Sequence, residues 1–364
     1  MKIKDITACL ESLAPLSLQE SYDNAGLLVG DPETEVKGVL ICLDSTEEVI
    51  AEAVKTKCNL VIAHHPIIFG GIKKLNGKNY VERAVMAAIR SNIAVYAAHT
   101  NLDNVNQGVN AMICKKLGLV NTEILSPKDG TLCKLITFCP VAHAGKVRQA
   151  LFAAGAGFIG NYDECSFNAE GFGTFRAGKG TDPFVGKKGE QHQEKELKIE
   201  TIYPKHAERQ VLKALRSSHP YEEVAYDIVS LGNDHPGIGS GMTGELEKPL
   251  GEKEFLKHLK SVMRCGSIRH TALLGRKVKR VAVCGGAGSF LLKTAISAGA
   301  DMYVSADFKY HEFFDADRKI VVSDIGHFES EQFTKDLIYS VLTEKFANFA
   351  IRLSKINTNP INYF

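Results

Sequence analysis

Leu60-Val61-Ile62-Ala63-His64-His65-Pro66 runs from four apolar residues straight into two imidazoles and a proline. Four apolar residues in a row, with no polar alternation, mark a strand whose sheet is covered on both faces. Histidines at the carboxyl end of such a strand lie on the rim of the sheet, and Pro66 stiffens the turn that aims them. Neighbouring side chains on an extended chain point different ways. His64 and His65 therefore suit two adjacent ions better than one ion gripped twice.

Around this strand the chain alternates strand and helix. A helix is expected over 5–14, closed by Pro15, then a loop at 21–26 and strands at 27–29 and 39–43. Asp44-Ser45-Thr46-Glu47-Glu48 opens a helix through residue 56, with its acidic side chains at the positive end of the helix dipole. Helix 79–91, strand 93–97 and helix 105–117 follow. The far end of the chain repeats this plan: strand 281–284, the turn Gly285-Gly286-Ala287-Gly288-Ser289, helix 289–298, and strands 301–305 and 320–323. Laying residue 281 on 39 without a gap puts Asp301 on Asn59 and Asp307 on His65. The pattern predicts an α/β fold: duplicated strand-helix-strand halves forming a helix-covered, mostly parallel sheet core, with ligands beyond the carboxyl ends of the strands.

Between the halves the texture changes. Strand 132–139, helix 143–154, a glycine-rich stretch, strand 196–203, helix 206–216 and strand 224–230 make two β-α-β units, the plan of a ferredoxin-like α+β domain. The expected organisation is a first core half at 1–127, an inserted domain at 128–235 and a second core half at 236–364.

Two further stretches join the His64-His65 pair. His99-Thr100-Asn101-Leu102-Asp103 follows strand 93–97, and Gly326-His327-Phe328-Glu329-Ser330-Glu331 follows strand 320–323. Both read His-x-x-x-carboxylate, a spacing that puts the two side chains on one face of a helix, and they are taken as corresponding positions of the two halves. The expected metal ligands are His64, His65, Asp103, His327 and Glu331. Glu331 has the longer reach and is assigned as the bridge. Two ions roughly 3.5–4 Å apart would lower the pKa of a bridging water and stabilise charge on the attacked group. Mixed nitrogen and oxygen donors admit two divalent ions per subunit, as zinc, iron or manganese. His99, Asp324 and Asp307 are candidates to orient a ligand imidazole or to take a proton. Taken singly, each pair has a plainer reading: a packed His-His dipeptide, a helix cap, a helix surface. The case rests on all three reaching one rim.

The bulk composition excludes several classes. Of 364 residues, 24% are charged and the net charge is +2, with no basic stripe of the kind that tracks a nucleic-acid backbone. The nine cysteines are scattered singly without a Cys-x-x-Cys pair, as reduced core thiols are. No apolar run approaches the roughly 20 residues needed to cross a bilayer, and the start lacks a signal-peptide pattern, so a cytoplasmic protein without membrane contact is expected. The glycine turn at 285–288 lacks a Walker ending. It reads equally as an anion site at a helix start or as close packing.

Five stretches carry a family resemblance: Ser21-Tyr22-Asp23-Asn24-Ala25-Gly26-Leu27, Ala63-His64-His65-Pro66-Ile67-Ile68-Phe69, His99 to Asp103, Gly285 to Ser289, and Asp324 to Glu331. Over almost the whole chain the sequence resembles the GTP cyclohydrolase 1 type 2 homologues, or Nif-three-like dinuclear metal proteins. The resemblance implies two metals held at the five positions above and a homohexamer with its metal sites facing an inner cavity. It also implies a CutA-like insertion, with landmarks at 155–162 and His219-Pro220-Tyr221-Glu222-Glu223. The family name borrows an activity, and GTP ring opening is not inferred from it. The functional expectation is a metal-dependent hydrolase that uses a metal-bridging hydroxide on a small, nucleotide-like substrate. The alternatives are a non-enzymatic metal-binding or metallochaperone protein, or a small-ligand sensor acting through the insertion.

Overall fold

The computed structural model describes residues 1–363. They form two compact units: residues 1–127 together with those from Gly237 onward, and Lys128–Pro236. Among the described residues no helix is long and apolar enough to cross a membrane.

The first unit is built on two sheets. One has the strand order Gly26–Val29, Ala94–Ala97, Leu60–Ala63, Val39–Cys42, Ile351–Leu353. Its strands are parallel except for the antiparallel edge Gly26–Val29. Every residue of the three central strands is buried, because alternate side chains feed two separate cores. Leu60 and Ile62 join Ile3, Ile6, Ile338 and Leu342 on one face, while Val61 and Ala63 join Val49, Ile50 and Ala88 on the other. Each fully buried aliphatic side chain stabilises the fold by about 1.5–3 kcal/mol. The helix Glu47–Lys55 starts where Thr46 accepts a hydrogen bond from the Val49 amide, a cap worth about 1 kcal/mol.

The second sheet runs Arg269–His270, Val321–Asp324, Met302–Ala306, Lys277–Ala287, Gly239–Gly251, Leu119–Pro127. Only its central strands are parallel; the outer pairings are antiparallel. Val281, Val283 and Met302 share the large core with the first sheet. Ala282, Tyr303 and Val322 instead meet Leu292 and Ala295 on the other side. The sequence reading places no strand at Leu119–Pro127 or Gly239–Gly251. Exposed polar residues interrupt the apolar pattern of both, and their pairing with each other and with Lys277–Ala287 makes them strands.

The central strands of the two sheets are tied in the same way. Val39 pairs with Leu60, and Val281 pairs with Met302. The Lys37 amide donates to Asn59 Oδ1 at 2.7 Å, and the Lys279 amide donates to Asp301 Oδ2 at 2.8 Å. Beyond the strand ends, Ala98 N meets Ala63 O at 2.9 Å, and Ile325 N meets Ser305 O at 3.0 Å.

The second unit is a four-stranded antiparallel sheet ordered Phe167–Arg176, Gln191–Pro204, Leu132–Pro140, Tyr226–Ser230. Helices Ala144–Ala153 and Glu208–Ser218 cover one face, burying Val147, Leu151, Val211 and Leu215 against Leu135, Ile199 and Tyr203. Phe167–Arg176, part of the glycine-rich stretch, is a full strand paired along its whole length with Gln191–Pro204.

Candidate metal centre

The strand Leu60–Ala63 delivers His64 and His65 to the rim, and both of their amides donate to the Leu43 carbonyl, at 3.1 and 3.0 Å. Asp103 ends the one-turn helix Thr100–Asp103. His327 and Glu331 are the first and last residues of the helix His327–Glu331, which Gly326 enters at φ 92°. These pieces converge on Glu331. Its Oε2 lies 2.9 Å from His65 Nε2 and 3.1 Å from His327 Nε2, and its Oε1 lies 3.7 Å from His64 Nε2. His64 Nε2 is in turn 3.8 Å from Asp103 Oδ1. Two clusters result: His64, His65 and His99, and His65, His327 and Glu331. Each has the donors to hold one ion.

Every histidine of the group is held by its other ring nitrogen. His64 Nδ1 bonds the Ala98 carbonyl, His65 Nδ1 bonds Asp44, His327 Nδ1 bonds Asp307 and His99 Nδ1 bonds Asp23, all at 2.6–2.7 Å. An Nδ1 engaged in this way leaves Nε2 turned inward, the arrangement that fixes and strengthens metal-binding imidazoles. Of the seven buried side-chain polar atoms without a hydrogen bond among the described residues, two lie in this group and face each other: His64 Nε2 and Asp103 Oδ1. Buried polar atoms are rarely left so. Metal bonds of about 2.0–2.2 Å would let a single cation satisfy both across their separation.

Space for Glu331 is made by Gly286. A Cβ there would stand 2.4 Å from Glu331 Oε1 and 3.3 Å from His327 Cε1, and its φ of +61° itself favours glycine. The neighbouring amides are engaged within the protein: Gly286 N donates to Ser330 Oγ at 2.9 Å and Gly285 N to Asn110 Oδ1 at 3.0 Å. The helix that follows, Leu292–Ser297, has only six residues. Of the two readings of the glycine turn, the geometry favours close packing against the helix that carries Glu331.

The charges respond to this crowding. Burial, and then the adjacent Glu331, hold the Asp103 carboxyl well above the usual carboxylate range. Burial alone would also raise Glu331, but His64, His327 and His65 hold it well below. Burial lowers His64 and favours its neutral, ligating form. At His65 burial is overridden by the bonds to Asp44 and Glu331, which lift the imidazole to about 9. At His327 burial is overridden by Asp307 and Glu331, which lift it to about 11. Asp23 is brought down to about 2, against the effect of burial, by hydrogen bonds from His99 and Thr100.

Of the five expected ligands, His64, His65, His327 and Glu331 fall within the two clusters; Asp103 is in neither, with its Oδ1 3.8 Å from His64 Nε2, and His99 completes the first cluster instead. His99 packs against the pair, its ring centroid 5.3 Å from His64 and 5.4 Å from His65. It is the residue before its helix, whereas His327 is the first residue within its own. The two His-x-x-x-carboxylate motifs therefore enter their helices one residue apart, yet both imidazoles bond an aspartate through Nδ1 and join the histidine cluster. Asp307 orients His327. Asp324 is turned elsewhere: its carboxylate takes the Arg269 guanidinium, the Phe308 amide at 3.0 Å and the Gly326 amide at 3.1 Å. It braces the two loops that present Asp307 and His327.

Sequence reasoning missed Asp44 and Asp23 as orienting carboxylates. Asp44 closes strand 39–42 at the same rim, which was the available signal, although it reads as a helix opener. It is also tied down by the chain end: Thr358 Oγ1 donates to Asp44, Ser354 Oγ to Glu52, and Asn359 Nδ2 to Glu329 at 3.1 Å.

The profile of the Duf34/NIF3 (NGG1p interacting factor 3) family matches residues 1–360. A GTP cyclohydrolase 1 type 2 homolog of Halalkalibacterium halodurans is 37% identical over 358 residues, covering 97% of this chain and 96% of that protein. One from Bacillus subtilis is 36% identical over 366 residues, covering 99% and 98%. Among solved structures, a Bacillus cereus protein related to NIF3 superposes with a TM-score of 0.87 at 37% identity, covering 100% of this chain and 99% of the other.

Proposed function

This chain belongs to the Duf34/NIF3 family, and from that footing we propose that it is a cytoplasmic metal-dependent hydrolase acting on a small, nucleotide-like substrate. Its two divalent ions would lie against His64, His65, Asp103, His327 and Glu331. The observation that carries this reading is the pair of buried, partnerless donors, His64 Nε2 and Asp103 Oδ1, beside a carboxylate that reaches three imidazoles. Glu331 would be the residue shared by both ions, since its Oε1 is turned toward His64 and its Oε2 toward His65 and His327. When bound, the ions would supply a nucleophile at neutral pH and charge stabilisation for the attacked group. The surrounding residues do the rest. Asp44 and Asp307 keep the His65 and His327 rings in their ligating orientation, and Asp23 holds the His99 Nδ1 proton so that its Nε2 can accept one from the reacting group. The donor set accommodates zinc, iron or manganese.

The matched ties of the central strands, Val39 to Leu60 with Val281 to Met302, support a duplicated core. Lys128–Pro236, with its two helices on one face of an antiparallel sheet, is then a ferredoxin-like, CutA-like domain inserted between the halves. Assembly as a homohexamer with its metal sites facing an inner cavity completes the proposal and rests on the family resemblance. GTP ring opening is not part of it.

The test is elemental analysis of the purified protein, followed by turnover assays of the loaded form on phosphoesters, nucleotides including GTP, and cyclic amides. About two ions per chain with turnover on one of these classes is the expected result. Full occupancy without turnover on any of them would move the reading to a metal carrier.

A further inference from the structure

The second unit holds a cavity of about 650 Å³, inside the range of roughly 300–1,000 Å³ typical of small-molecule sites. Its walls include Phe172, Phe175, Phe184 and Tyr221. The rings of Phe175 and Phe184 each lie 6.2 Å from Tyr221, inclined at 60° and 52°. They pack on Tyr221 in tilted contacts and together form one aromatic wall of the cavity. Against this aromatic wall lies Glu196, only 7% exposed, on the strand Gln191–Pro204.

Glu196 accepts a hydrogen bond from the Tyr221 hydroxyl at 2.8 Å, and among the described residues no cationic group pairs with it. The nearby basic groups are engaged elsewhere or stand apart. Lys198 pairs with Glu200 at 2.5 Å and Lys195 with Glu170 at 2.8 Å. His219 uses both ring nitrogens, Nε2 donating to the Phe138 carbonyl at 2.9 Å and Nδ1 accepting from the Tyr221 amide at 3.1 Å. This fixes its neutral tautomer. Arg176 lines the cavity but is exposed and makes no ion pair with Glu196. Gly173 is what lets the carboxylate lie where it does, since a Cβ at that position would stand 2.1 Å from Glu196 Oε2.

Burying a carboxylate is costly unless a cation or several donors compensate it, and aromatic faces attract cations. The lining holds four carboxylates, Glu170, Glu196, Glu222 and Glu223, against Arg176 and Lys198, which disfavours phosphates and other anions. A lone carboxylate beside a phenol is also too few hard donors for a divalent ion, which takes six or more oxygen ligands if calcium-like.

We propose that this cavity binds a small organic cation, a primary or quaternary ammonium compound whose charge meets Glu196 and whose carbon substituents lie against Phe175, Phe184 and Tyr221. The proposal stands apart from the metal centre and from the hydrolase reading.

The experiment is isothermal titration calorimetry on the full-length, metal-loaded protein with choline, tetramethylammonium, spermidine and phenethylamine. The uncharged choline isostere 3,3-dimethylbutan-1-ol and ATP serve as controls. At least one ammonium compound is expected to bind, and at least about tenfold more tightly than a matched neutral compound, because only the charged compound pairs with the buried Glu196 while its substituents meet the aromatic faces. Glu196→Gln and, independently, Phe184→Ala are each expected to weaken it about tenfold while leaving metal content unchanged. Phe184 is 51% exposed, so its removal spares the core. Absence of binding by all four ammonium compounds would overturn the proposal. So would equal binding of choline and its neutral isostere, preference for ATP, or binding that survives both substitutions.

Discussion

The two rims that meet at the metal centre are built differently. The first sheet sends His64 and His65 directly off a strand, and both amides are locked to one carbonyl. The second sheet supplies His327 and Glu331 from a short helix that enters through a left-handed glycine and rests on another. The His64 side chain is fully buried, whereas that of His327 is 36% exposed. One rim is a fixed socket of strand backbone. The other is a helical turn whose placement depends on side chains, chiefly Asp307, Asp324 and the space at Gly286.

The sharpest way to break this comparison is to remove the residue common to both rims. Glu331→Gln is expected to empty the centre, lowering affinity by more than the roughly 100-fold upper range for losing an orienting partner, as read by elemental analysis after dialysis. Substituting the orienting carboxylates separately should then distinguish the rims. Asp44→Asn and Asp307→Asn are each expected to cost about 10–100-fold in metal affinity. The larger loss is expected for Asp307→Asn, because His327 lacks the backbone support that His65 has. Equal losses in competition titrations with a chelator would erase the contrast.

Acidity gives a smaller effect with a defined sign. In the ion-free protein His65 and His327 are lifted to about 9 and about 11, so they carry protons at pH 8 that an ion must displace. Metal uptake is therefore expected to release protons, and affinity to fall about tenfold per pH unit lowered for each proton displaced. Titrations in buffers of different ionisation enthalpy would measure the release. The same raised values favour the ion-free fold in acid. Their contribution is complete below the unfolded value of about 6.5 and fades as pH rises through about 9 and about 11. Smallest of all, Gly286→Ala forces a side chain into left-handed backbone at a cost of about 1–2 kcal/mol. It should lower the urea midpoint of the ion-free protein and displace Glu331.

What the sequence revealed follows from the same contrast. Strands at Leu60–Ala63 and Val321–Asp324 are legible because apolar runs announce burial on both faces, and the rim rule then finds His64, His65, His327 and Glu331 of the clustered residues. Leu119–Pro127 and Gly239–Gly251 are not, since long-range pairing rather than local pattern makes them strands. Spacing alone equates His99 with His327. Only the backbone shows the one-residue offset between a cap and a first helical turn. Asp44 and Asp23 escape because an orienting carboxylate needs no fixed distance in sequence from its histidine: Asp44 precedes His65 by 21 residues and Asp23 precedes His99 by 76.

The threads from Ser354, Thr358 and Asn359 to Glu52, Asp44 and Glu329 give the end of the chain an unplanned use. Thr358 grips the very carboxylate that steadies His65, so whatever firms that ring also fastens the tail. Deuterium uptake by the amides around 354–359 should slow as the centre fills, turning this segment into a built-in gauge of occupancy that can be read without measuring metal at all.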